Sequence, residues 1–424
     1  MNTKQSDNLL KNKMNRRQML KLTGAGTAGV LIGATGFGSV ANSFGYSIVD
    51  DNMTATEKVP FYGSHQSGIV TNVQKHIYFA SLNVIVTSKE ELKDLFEMWT
   101  PLAVRMMNGE EIAEPTTNSY VAAQDTGEAV GLSASNLTIT FGVGPTLFEK
   151  SKLGLGHLKP TELEALPHFP KDQLDESYSS GDLCIQACAD DPQVAFHAVR
   201  NLIRSASGKV ILKWTQAGFN SIPVEKNKKQ TPRNLFAFKD GTGNPNVNDT
   251  KEMNDVVWVQ SNESVPWMTG GTYLVARRIQ MHLETWDRTA LGEQEATFGR
   301  HRDSGAPIGK TGEFEDMELA RKDSSGNPII PTTSHVHLAK LVDDRILRRS
   351  FSYSSGMDPK TGVFDAGLLF ISFQKHPKQF INIQNSLGRI DKLNEYITHR
   401  GSATFACFPG IQKGSFVGES LFKA

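Results

Sequence analysis

Cysteine is scarce in this chain. Only Cys184, Cys188 and Cys407 occur among 424 residues, which excludes a disulfide-built scaffold. On a strand, Cys184 and Cys188 would share a face but stand ~13 Å apart, beyond disulfide reach, so they read as small buried thiols. Net charge is also missing, with 45 Lys plus Arg balancing 45 Asp plus Glu. A neutral chain has no electrostatic reason to seek nucleic acid or an anionic membrane surface, so no nucleic-acid partner is expected. Short-period repeats and low-complexity blocks are absent beyond the N-terminal region. What remains, 38% hydrophobic and 21% charged, is the composition of a globular protein long enough for two domains.

The first 41 residues read as an address. A basic start carries Arg16-Arg17, followed by a weakly apolar Gly- and Ala-rich run and then Ser39-Val40-Ala41. That layout is a signal peptide of the twin-arginine type (1–41), which predicts export and a secreted or envelope-associated protein. The route carries folded proteins, often with a cofactor already inserted. Residues 42–70, rich in Ser, Gly, Asn and Asp, read as a flexible linker.

Beyond it, two halves show the same order of strand, helix, strand, strand, helix. In the first, strands are predicted near 73–86, 136–144 and 182–191, and helices over 88–109 and 191–207. Ser88 and Asp191-Pro192 supply the helix starts. In the second, strands are predicted at 270–283 and 366–377, and helices over 284–299 and 379–397. The fold class is therefore α+β: two ferredoxin-like domains, each an antiparallel sheet with helices on one face. Their spans are 71–228 and 229–424, with the boundary in a Lys-rich, Pro-flanked stretch.

Three stretches carry chemistry. In "FKDGTGNP", Asp240 precedes Gly241, Thr242, Gly243 and Asn244. It is either an Asx-turn residue or a site carboxylate; the loop lacks the Lys and spacing of a phosphate-binding P-loop. In "SHVHLAK", His335 and His337 would share one face of a strand. They are a metal pair awaiting a third ligand, a haem ligand with a bystander, or ordinary polar residues. In "RILRRSFSY", Arg348 and Arg349 lie between apolar and aromatic residues, and a buried Arg there would need an anion.

Taken in order with "GDLCIQACADDPQVAFHAVRNLIR" and "QEATFGRHRDSGAPIG", these stretches resemble the dye-decolorising peroxidases. The resemblance runs from about residue 70 to the end, and the leader makes it similar to their exported deferrochelatase/peroxidase branch. It implies haem b bound mainly in the C-terminal domain, with His335 as axial iron ligand. Gly241, Thr242, Gly243, Lys340 and Arg348 would contact the cofactor. Asp240 would shuttle the peroxide proton, Arg348 would stabilise charge on the leaving oxygen, and Asn244 would orient Asp240 or a water. Hydrogen peroxide and an electron donor are the implied partners, with Trp258, Trp267, Trp286 and Tyr353 available as surface electron relays. Haem itself as substrate, a membrane iron permease, an iron-binding lipoprotein and a homodimer complete the implied partners. Deferrochelation, releasing iron from haem, is the alternative activity; a non-haem metallohydrolase built on His335, His337 and Asp240 is a third. Two departures stand out. Ala237 replaces a family glycine, which predicts a backbone without positive φ there. His337 and Lys340-Leu341-Val342 replace residues that usually contact the haem carboxylates.

Overall fold

The computed structural model describes residues 58–221, 224–225, 228–229 and 231–424. The expected leader lies outside them. Residues 58–70, read from sequence as linker, are packed. Ile69 is buried, and Gln66 Nε2 donates to the carbonyls of both Phe141 and Phe408 at 2.9 Å.

The first half runs β1 (His76–Val84), α1 (Lys89–Met107), β2 (Thr138–Val143), β3 (Leu183–Ala189), α2 (Pro192–Ser205) and β4 (Val210–Phe219). Local chemistry starts both helices where the sequence places them. Ser88 accepts from the Glu91 N–H at 3.1 Å, and Asp191 accepts from Gln193 N–H at 2.7 Å ahead of Pro192. The second half runs β5 (Thr272–Met281), α3 (Leu291–Phe298), α4 (His335–Ala339), β6 (Leu347–Arg348), β7 (Phe351–Met357), β8 (Phe364–Gln374), α5 (Pro377–Leu387) and β9 (Ile397–Cys407).

The two halves do not keep the separate sheets expected of them. The nine strands named above form one antiparallel sheet, in the order β5-β9-β2-β3-β1-β4-β7-β8-β6, and β5 also pairs with β8. Eight strands thus close a barrel. Strands β4, β7 and β9 have no counterpart among the strands placed from sequence, and β4 and β9 make the joins: β9 to β2, and β4 to β7. Side chains pointing into the barrel come from both halves and include Ile77, Phe79, Trp214, Leu274, Phe351, Phe373 and Phe405. Helices cover the outer faces, with α2 on β1 and β3, and α5 on β5 and β8.

Two long helices expected in the second half are broken. The stretch 284–299 forms a short helix Leu283–Trp286 and then α3. The bend lets Trp286 pack on Phe236 with ring centroids 4.5 Å apart, and Gln294 Nε2 folds back to the Trp286 carbonyl. The stretch 379–397 stops at Leu387, at Gly388. Asp391 then caps a single 3-10 turn, Lys392–Glu395.

Candidate active site

One cavity of about 470 Å³ lies against the outer face of the second-half strands. Its floor is built by alternation: Arg277, Ile279 and Met281 from β5, Leu368 and Phe370 from β8. A register shift between His399 and Gly401 on β9 matters here. Before it, Ile397 and His399 face the cavity; after it, Ala403, Phe405 and Cys407 face the barrel interior. Phe298 of α3, α4, α5 and the 234–243 loop form the other walls.

His335 and His337 lie on helix α4, not on a strand. Two residues along a helix are turned by about 200°, so the pair cannot share a face. His335 lines the cavity, whereas His337 does not, and its Nδ1 is buried without a partner. Among the described residues no cluster of three or more His, Cys, Asp or Glu side chains could hold a metal ion, which removes the metallohydrolase arrangement.

His335 Nδ1 lies 2.8 Å from Asp391 Oδ2, and the other Asp391 oxygen accepts from Leu393 N–H at 2.9 Å. A carboxylate on Nδ1 fixes the ring and leaves Nε2 with its lone pair as a ligand. Asp391 is the partner that the sequence did not reveal. Its one local signal is the capped turn at 391–395.

At another part of the wall, Arg348 Nη1 approaches Asp240 Oδ1 at 3.4 Å. Asn244 serves Arg348 rather than Asp240. Its Nδ2 donates to the Arg348 carbonyl at 2.7 Å, and its Oδ1 accepts from Arg348 N–H at 3.1 Å and Nε at 3.3 Å. Gly241 holds φ 117°, which favours glycine, and so turns Asp240 over the cavity. Thr242 and Lys239 are both tied to Glu313, at 2.8 Å and 2.5 Å. Burial opposes ionisation of Glu313. Hydrogen bonds from Lys239, Thr231 and Thr242 and the Lys239 charge outweigh it and hold the carboxyl below its usual range.

Ala237 reverses the expectation made for it, because its φ is 67°. Its N–H donates to Asn234 O, and its carbonyl accepts from Arg233, so the 234–237 turn imposes the left-handed geometry despite the methyl group.

Lys340 lines the same cavity as an exposed side chain. Two cations unremarked in the sequence also line it. Arg277 is fully buried, paired with Asp172 and bonded to Ser402 Oγ at 3.0 Å. Arg300 is buried and donates to the carbonyls of Gly305 and Glu313. The four proposed relay residues are not at the surface: Trp258, Trp267, Trp286 and Tyr353 are all buried. Of these, Trp286 contacts Phe298, a cavity wall, at 5.7 Å and the half-buried Tyr396 at 4.9 Å.

These residues fit a haem. A fixed imidazole offers one ligand nitrogen, the walls are largely aromatic and aliphatic, and the cations can meet the cofactor's carboxylates. A carboxylate and a guanidinium line the same space for reaction chemistry.

Known proteins agree. The family model "Dyp-type peroxidase, N-terminal" matches residues 66–220, and "Dyp-type peroxidase, C-terminal" matches residues 231–412. The chain is 34% identical to the deferrochelatase of Escherichia coli strain K12 over 425 residues, covering 97% of this chain and 98% of that one. It is 33% identical to the Yersinia pestis deferrochelatase over 419 residues, covering 96% and 95%. A crystal structure of a DyP-type peroxidase from Streptomyces coelicolor superposes with a TM-score of 0.81 at 34% identity, covering 87% of this chain and 98% of that one. Ferric DtpA from Streptomyces lividans gives 0.80 at 34% identity, with the same coverages. The chain therefore belongs to the Dyp-type peroxidase family and is a haem-dependent peroxidase.

Proposed function

We propose that this peroxidase reduces hydrogen peroxide at haem b ligated by His335, oxidises dyes, phenols or ferrous iron, and serves iron or haem acquisition. The observation that carries this reading is the convergence of the His335–Asp391 and Asp240–Arg348 pairs on one cavity.

Bound haem supplies the redox chemistry. His335 would hold it through Nε2, and Asp391, on Nδ1, would keep the ring oriented and its ligand nitrogen electron-rich. Asp240 would act as the proton shuttle, accepting a proton from peroxide and giving it back to the oxygen that departs as water. Arg348 stabilises negative charge on that departing oxygen. Asn244 holds Arg348 in place through three hydrogen bonds. Lys340, Arg277 and Arg300 line the cavity and are the cations that would be offered to the haem carboxylates, while Gly241, Thr242 and Gly243 line it beside Asp240.

Each half is read as a ferredoxin-like repeat with a fourth strand. Support comes from its spatial order, β4-β1-β3-β2 in the first half and β9-β5-β8-β7 in the second. Domain spans of 71–228 and 229–424 follow from that reading. The Arg16-Arg17 leader supports export by the twin-arginine route. Relatives named deferrochelatase support a role in handling haem iron. A membrane permease, an iron-binding lipoprotein and a homodimer are proposed as partners from the sequence resemblance alone. Those relatives also supply the second reading, in which the same cavity releases iron from haem.

A spectrum of the purified protein with and without haemin, followed by a peroxide pulse, tests this. The expected result is a Soret band that shifts on peroxide and recovers with a reducing donor. Asp240→Asn should keep the band and react with peroxide roughly 100-fold more slowly. A band indifferent to peroxide, with iron released from the porphyrin, would favour the second reading.

A further inference from the structure

Asp240 is held by its backbone more than by its side chain. Its N–H donates to the Pro232 carbonyl at 2.9 Å. Among the described residues its carboxylate meets one partner, Arg348 Nη1 at 3.4 Å. The residues flanking it are tied to a second carboxylate, far along the chain. Glu313 Oε2 accepts from Lys239 Nζ at 2.5 Å, and Oε1 accepts from Thr242 Oγ1 at 2.8 Å. The ion pair is well covered, with the Lys239 side chain 12% exposed and that of Glu313 8%. Glu313 itself lines neither cavity.

Glu313 is anchored in turn. Its carbonyl accepts from Arg300 Nη1 at 2.9 Å, and the same nitrogen donates to the Gly305 carbonyl at 2.7 Å. Gly305 leaves room for the Lys239 stem, since a Cβ there would lie 2.6 Å from Lys239 Cδ. The pairing decides where one charge goes. Lys239 and Asp240 both line the haem cavity, so a free ammonium would have a path to the Asp240 carboxylate. A carboxylate in a close ion pair holds a proton less readily. The neighbouring Arg233 is committed elsewhere, to the carbonyls of Ala237, Arg302 and Asp303. That leaves Arg348 as the cation that meets Asp240. A fixed backbone with a lightly tethered carboxylate suits a group that must reach two oxygens in turn.

We propose that Glu313 is a positioning residue for the peroxide step. Through Lys239 and Thr242 it fixes the backbone on both sides of Asp240, and it keeps the Lys239 ammonium off the Asp240 carboxylate. The inference rests on the reading of Asp240 as proton shuttle and adds to it a residue outside the cavity.

Hydrogen exchange and stopped-flow absorbance of the haem-loaded chain test it. Without peroxide, Glu313→Gln should speed amide exchange across 236–244 by ~10-fold or more, with the Soret band and haem content unchanged. With peroxide, its Soret band should shift about 10-fold more slowly than that of the wild type. Adding Lys239→Met to Glu313→Gln should make that shift at least about threefold faster again while exchange stays fast. A purely structural clamp would give no such recovery. Thr242→Val removes one tie and no charge, and covers the case in which Glu313→Gln does not fold. It should speed the same exchange about threefold. Wild-type exchange in Glu313→Gln or Thr242→Val would overturn the proposal, as would a double variant no faster than Glu313→Gln. A wild type inert to peroxide would overturn the peroxidase reading and this inference with it, whereas a reactive wild type confines the failure to Glu313.

Discussion

Asp391 accepts from Leu393 N–H and faces His335 Nδ1, so one buried carboxylate both caps a turn and sets an imidazole. Asp391→Ala should weaken haem retention roughly 10- to 100-fold, read as faster transfer of haem to a haem-free globin. Unchanged transfer would mean that α4 alone orients His335. Asp240, His335 and Arg348 were legible because each sits in a short motif with a chemical reason for its residue type. Asp391 was not, because it lies 56 positions after His335 and only folding joins them. Ala237 was misread through a sound rule. Alanine disfavours positive φ, but the hydrogen-bonded turn at 234–237 overrides that preference locally. His337 was misread because an i, i+2 pair means a shared face on a strand and opposed faces on a helix.

A five-residue helix such as α4 has no stability of its own and depends on what it packs against. Ser386 of α5 donates to the Leu338 carbonyl at 2.7 Å, Leu338 is buried, and Gly299 lies beneath the first turn. A Cβ on Gly299 would sit 2.7 Å from both Val336 Cγ2 and Ser334 Oγ, on a backbone with φ 82°. Gly299→Ala should therefore displace α4, cost about 1–3 kcal/mol and loosen haem without altering a cavity residue. Gly292→Ala in α3, with nothing within 4 Å of the added methyl, is the control and should be neutral or stabilising. Denaturant midpoints and haem transfer rates of the two variants measure this. Equal behaviour would show that α4 tolerates the shift. At this scale β1, β2, β3, β5 and β8 and the two first-half helices were legible from periodicity and caps. Strand β7 was not, since its second half is polar and exposed, and β9 was not, since the shift near Arg400 breaks its alternation. The long-helix readings failed because periodicity cannot show where a large side chain such as Trp286 must turn inward.

The whole molecule is held by a core that neither half owns. The barrel interior draws side chains from both, and the seams between halves are short: Ala406 and Cys407 against Val143 and Gly142, and Phe219 against Ser352. Residues 231–424 expressed alone should expose that core and the open edges of β7 and β9, and aggregate or remain molten. Co-expression with the first half should restore solubility. A soluble, cooperatively folding fragment would refute the shared core. Acid should also act on the molecule as a unit. Burial, aided by the Arg277 charge, takes His399 from 6.5 down to about 3, so it is neutral when folded. Between those values the unfolded chain binds the extra proton, so the stability from His399 is full above pH 6.5 and is lost as pH falls toward 3. The loss is at most about 1.4 kcal/mol per pH unit, and His399→Phe should flatten it between pH 7 and pH 5 in denaturant midpoints. An unchanged slope would assign the acid sensitivity to other groups. The α+β class was legible; the joining of two sheets into one was not, because strand partners across halves leave no local pattern. At one seam, Gly142 has Cys184 on one neighbouring strand and Cys407 on the other, with both sulfurs crowding the space its side chain would fill. All three thiols are buried, so the closed protein offers nothing to a thiol reagent. The rate at which such a reagent labels the unmodified chain then counts how often the two halves part, a clock for breathing that needs no engineered probe.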